Sequence, residues 1–91
     1  MSTAASKRWM SRVASIGCIA CIRLGHGETP AAVHHIREGR IARNDWLTLP
    51  LCPPHHTGSR MSIHMGKRDL LDALGINSEY DLLADVISRV A

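Results

Sequence analysis

The sequence predicts a small α+β domain stapled by metal, and three observations carry that reading. Two short ligand pairs, Cys18-x-x-Cys21 and Cys52-x-x-His55, frame the middle of the chain. Two β-prone runs lie between them, at Ala31–Ile36 and Trp46–Leu51. Apolar residues at helical spacing occupy both ends.

The 91 residues make one domain, with a core over 18–66 and a helical pair over 67–91. A chain this short buries a modest share of its surface. It has no Phe, one Tyr (Tyr80) and two Trp (Trp9 and Trp46), so large aromatics add little to its core. Such a chain needs a disulfide or a metal as a staple. Three cysteines cannot all pair, and no secretory signal precedes them. No stretch approaches the ~20 apolar residues of a membrane helix. The chain is therefore expected to be cytoplasmic, where thiols stay reduced and cysteine clusters more often hold metal.

The elements follow in order. Residues 1–5 are small and polar and are expected to fray. Trp9, Val13 and Ile16 recur at helical spacing, giving a helix over Ser6–Ala14 that stops near Gly17. Cys18–Cys21 reads as a tight turn. The two β-prone runs can pair as a hairpin, with a basic loop carrying Arg37, Arg40 and Arg43. Pro53-Pro54 can open a helix, but Gly58 and Gly66 argue against a long regular one. Lys67–Leu74 is helical, stopped by Gly75. Ser78 or Asn77 caps a last helix with Leu82, Leu83, Val86, Ile87 and Val90 on one stripe. Two acidic helices of this kind leave the chain a monomer or a homodimer.

Zinc takes four N or S ligands in a tetrahedron, and two residues between ligands let a turn curl around one ion. Cys18, Cys21, Cys52 and His55 match that requirement. They can instead be buried small side chains or a redox pair, but the βαβ setting of a redox C-x-x-C is missing. Five of the six histidines fall between residues 34 and 64: His34, His35, His55, His56 and His64. A zinc finger has no use for the four beyond His55.

Charge is uneven. The formal net charge is +3, yet residues 1–68 hold ten Lys/Arg and three Asp/Glu, and residues 69–91 hold one Arg and five Asp/Glu. The basic part carries the Cys and His residues, which suits a phosphate polyanion. Arg37, Arg40, Arg43, Arg60, Lys67 and Arg68 are the expected phosphate contacts. Trp46 reads as a core anchor, with base stacking as the alternative.

The order Cys-x-x-Cys, Val33-His34-His35-Ile36, Leu51-Cys52-x-x-His55-His56 and Ile63-His64 resembles the zinc-containing HNH endonucleases, the ββα-metal fold. Among these it is most similar to the phage recombination-enhancement (Ref-type) nucleases that act with RecA. The resemblance covers residues 18–66. It implies a ββα-metal core and cleavage of DNA phosphodiester bonds in a bacterial cell, from a phage or prophage gene, with a RecA filament as partner. It assigns His35 as general base and His34, His56 and His64 as ligands of a second divalent ion, Mg, Mn or Zn. Cys18, Cys21, Cys52 and His55 hold the structural zinc. In the family pattern an Asn stands about five residues before Cys52; here Leu47 does, with Asn44 and Asp45 nearby.

His56 and His64 are eight residues apart, about 12 Å along a straight helix. To share one ion they need a break near Thr57-Gly58-Ser59; without it His64 is a DNA contact or a surface residue. The competing function is a non-catalytic zinc module that binds nucleic acid or protein, and a weaker third is a protein that only docks on RecA filaments.

Overall fold

The computed structural model describes residues 2–39 and 41–90. Arg40, one of the expected phosphate contacts, lies outside the described residues. Helix α1 spans Ala4–Ser15, α2 Ile19–Arg23, strand β1 Ala32–His35 and β2 Thr48–Leu51. A wide helical turn covers Pro54–Gly58, followed by α3 over Ile63–Leu74 and α4 over Glu79–Val90.

Helix α1 begins earlier than its apolar spacing predicts. Thr3 and Ser6 form a reciprocal capping box, with the Ser6 N–H on Thr3 Oγ1 at 3.0 Å and the Thr3 N–H on Ser6 Oγ at 2.9 Å. Each satisfies an N–H that the first helical turn leaves free, so residues 3–5 are ordered rather than frayed. The expected tight turn at Cys18–Cys21 is also corrected. Cys18 caps the short helix α2, taking the Cys21 N–H on its sulfur at 3.4 Å. Gly17 sits at φ +89, and a Cβ there would meet the Thr29 carbonyl oxygen at 3.1 Å.

The strands pair antiparallel, with His34 opposite Leu49 and His35 opposite Thr48. All four residues of β2 are buried, because α1, α2 and α4 all pack against it beside β1. Val13, Ile19, Ile36, Leu49, Leu51, Leu70, Leu82 and Val86 form one contiguous core with no exposure. Burying each such side chain is worth about 1.5–3 kcal/mol, so the core draws on every helix to reach a stable total. Of the C-terminal stripe, Leu82, Leu83 and Val86 are buried, whereas Ile87 is 46% exposed. Trp46 is not a core anchor: it is 49% exposed and leans on Trp9, with ring centroids 6.2 Å apart. No helix is long and apolar enough to cross a membrane.

The chain turns out of the helical path at Ser59 (φ −153, ψ 172) and re-enters at Ser62, whose hydroxyl caps α3 through the Met65 N–H at 3.1 Å. Inside α3, Gly66 leaves helical geometry (φ −158, ψ 59). A Cβ there would stand 2.0 Å from the Arg60 carbonyl oxygen, a backbone atom that cannot swing aside. Gly66→Ala is expected to cost about 1–3 kcal/mol of stability, the usual range for overpacking. Urea unfolding measures it, and a variant as stable as the parent would mean that α3 does not pack on Arg60 here.

Candidate metal centres and active site

Cys18 and Cys21 come from the start of α2, and Cys52 and His55 from the turn that leaves β2. The His55 and His56 N–H groups both donate to the Cys52 carbonyl, at 3.0 and 2.9 Å. That bifurcated turn aims two adjacent histidines at two different places. His55 Nδ1 lies 3.3 Å from Cys52 Sγ, 3.4 Å from Cys21 Sγ and 3.6 Å from Cys18 Sγ, and the Cys21 and Cys52 sulfurs are 3.7 Å apart. Zinc bonds of ~2.3 Å to sulfur and ~2.0 Å to nitrogen require tetrahedron edges of about 3.8 Å (S–S) and 3.5 Å (S–N), which these distances match. A disulfide would need about 2.05 Å, and all three cysteines are free.

The three thiols are buried. Burial is the largest cause pushing the Cys18 thiol up to about 11. A cation among the four donors reverses that cost by holding the thiolates. Burial, followed by the charge of His26, pushes His55 down, toward the neutral form that binds metal.

His34 on β1, His56 on the wide turn and His64 on α3 form the second cluster, each offering a ligand atom within 4.8 Å of the others. His56 and His64 Nε2 approach to 3.2 Å. The helix break after Gly58 brings residues eight apart in sequence into one cluster. Burial and then the neighbouring His34 and His64 push His56 down. Three imidazole nitrogens converging on one point suit a single divalent cation.

The cluster opens into a shallow cleft of about 200 Å³ that also takes in His35, Arg37 and Arg43. Strand alternation alone would separate His34 from His35, but β1 ends at His35. His35 Nε2 meets Asp45 Oδ1 at 2.8 Å. Asp45 also accepts the Ser2 and Ser6 hydroxyls at 2.5 and 3.2 Å. The Ser2 hydroxyl, followed by the His35 ring, holds the Asp45 carboxyl down at about 2.

Behind the cluster, His34 Nε2 donates to Glu79 Oε1 at 2.5 Å, both side chains being nearly sealed from solvent. Glu79 Oε2 takes the Lys67 ammonium at 2.8 Å, Glu38 takes it at 3.2 Å, and Glu38 also accepts the Glu79 N–H at 2.8 Å. Burial alone would raise the Glu79 carboxyl, but the bonds from His34 and Lys67 outweigh it and hold it low. Lys67, expected on phosphate, is thus committed to two carboxylates. Arg37, Arg43, Arg60 and Arg68 are exposed, with Arg68 in a loose pair to Asp72 at 3.5 Å.

Residues 2–70 match the sequence model of the recombination enhancement, RecA-dependent nuclease family. The chain belongs to this family. No curated protein and no solved structure matches it. The nuclease-family match contains both Cys/His clusters, His35 and Asp45, and it stops short of Glu79. Sequence reasoning missed Glu79, because an acid at the start of a helix reads as a partner for the helix dipole. Its pairing with His34 joins residues 45 apart in sequence, which no local pattern announces.

Purified protein is expected to hold about one zinc per chain in the Cys18–Cys21–Cys52–His55 cluster, and Cys52→Ala to lose it together with most helical signal. Metal analysis with circular dichroism checks this; a metal-free variant that keeps its fold would refute the staple.

Proposed function

We propose that this protein is a metal-dependent DNA endonuclease of the HNH (ββα-metal) type that works with RecA filaments. The observation that carries the reading is the His34–His56–His64 cluster opening beside His35 in a cleft edged by Arg37 and Arg43. The family match supports a nuclease that acts in recombination with RecA.

His34, His56 and His64 are the residues that hold a divalent ion, Mg, Mn or Zn. When bound, it supplies positive charge where the scissile phosphate gathers negative charge. His35 is the general base. Its Nε2 is engaged by Asp45, which leaves Nδ1 to take the proton from an attacking water. The water oxygen bonds to phosphorus, the phosphorus–oxygen bond on the far side breaks, and the leaving oxygen takes up a proton from solvent water, to which His35 later returns the one it accepted. Asp45, held ionised by the Ser2 hydroxyl and the His35 ring, fixes the orientation of the His35 ring, the part an Asp plays toward a catalytic His elsewhere. Asp45 thus replaces the Asn of the family pattern. Arg37 and Arg43 hold the flanking phosphates, with Arg60 and Arg68 as outer contacts and the zinc clamp as frame.

Glu79 is a positioning residue. A carboxylate behind a metal-binding His sets the ring's orientation and strengthens it as a ligand.

Incubation of the protein with single- and double-stranded DNA and Mg²⁺ or Mn²⁺, with and without RecA filaments, is expected to yield cleavage that His35→Ala abolishes while the fold persists. Absence of cleavage in every condition, or equal cleavage by His35→Ala, would sink the catalytic reading. Glu79→Gln keeps the shape but loses the charge. It is expected to weaken divalent-metal affinity by roughly 10- to 100-fold, as read by calorimetry. Unchanged affinity would leave Glu79 only a fold role.

A further inference from the structure

A second cleft, of about 370 Å³, adjoins the histidine cleft. Its walls include Arg43, Asn44, Asp45 and Trp46. Arg43 also lines the histidine cleft, so one guanidinium borders both. Asp45 links them from behind, through its bond to His35.

Trp46 is the feature that needs a function. It leaves 49% of its surface open in a chain with two tryptophans. Its position is fixed rather than loose. Its backbone N–H donates to the Asn44 side-chain Oδ1 at 2.9 Å, and its ring leans on Trp9 at an interplanar angle of 37°. The bond to Trp46 uses the Asn44 side-chain carbonyl, and among the described residues its side-chain N–H groups meet no acceptor.

The charges sort what the cleft can take. The start of α1 would attract an anion, but the Asp45 carboxylate already occupies its Ser2 and Ser6 hydroxyls. A phosphate is therefore repelled from the inner wall and drawn to Arg43 at the rim. An uncharged planar group faces the indole. We infer that this cleft is a subsite for one unpaired nucleobase of the DNA strand, stacked on Trp46, with Arg43 on the phosphate between that nucleotide and the histidine cleft. In a duplex both faces of each base are already covered, so the subsite selects single-stranded or locally opened DNA. Stacking of this kind accepts every base. The substrate class rests on the nuclease reading; the binding itself requires neither metal nor cleavage.

Fluorescence anisotropy of the full chain with a labelled single-stranded oligodeoxynucleotide, an abasic strand of equal length and a duplex tests it. Trp46→Ala is expected to weaken single-strand binding by roughly 5- to 100-fold, the span of one base stack on an aromatic ring. Its binding to the abasic strand stays as in the parent. Trp46→Phe, which retains a ring, keeps most of the affinity. Equal binding by parent and Trp46→Ala, or an equal loss on normal and abasic strands, overturns the subsite. Should Trp46→Ala unfold, the parent alone decides, since equal affinity for normal and abasic strands also overturns it. A parent that cuts DNA but shows no Trp46-dependent binding defeats the subsite alone. One that binds strands through Trp46 and never cuts supports the subsite and defeats the nuclease reading.

Discussion

The carbonyl of Cys52 accepts two N–H groups, from His55 and His56, and the rest of the site depends on that turn. It sends one histidine ring to the three sulfurs and the next to the other two histidines. Neither cluster can relax without moving the other. An ion held by the sulfurs would therefore do more than replace a missing aromatic core. It would fix the turn from which His56 projects, which follows directly on the fully buried β2.

The polar side of the site is organised by two carboxylates with different partners. Asp45 ties His35 to the start of α1 through two serine hydroxyls. Glu79 ties His34 to Lys67 and, through Glu38, to the loop after β1. His34 and His35 thus each have one ring nitrogen engaged by an acid. A buried charge such as Glu79 would cost several kcal/mol if left unpaired; its carboxylate meets both His34 and Lys67. Lys67 gives up its place on the outer basic surface to serve this interior.

Much of this was legible in the residues. The ligand spacing predicted which four side chains meet, because two intervening residues are a local constraint that a turn must obey. The strands and the last two helices followed from apolar period and from glycine stops. Legibility failed where a side chain substituted for a pattern. Ser6 reads as part of a helix face, yet it completes a cap with Thr3. Cys18 reads as a turn residue, yet its sulfur caps α2. Trp46 reads as core by its size, and only packing shows that Trp9 already fills the space beside it. Glu79 and Lys67 carry ordinary surface chemistry in sequence. The burial of Glu79 and its bond to Lys67 depend on α4 packing against the hairpin, which no local window encodes.

That packing orders events in time. A chain made from its N-terminus exposes both zinc-ligand pairs and all three clustered histidines before Glu79 is added, and domains tend to fold as they emerge. The zinc-ligand pairs and the histidines are thus in place before the core is complete. Docking of α4 then does two things at once: it closes that core with Leu82 and Val86 and brings Glu79 to His34.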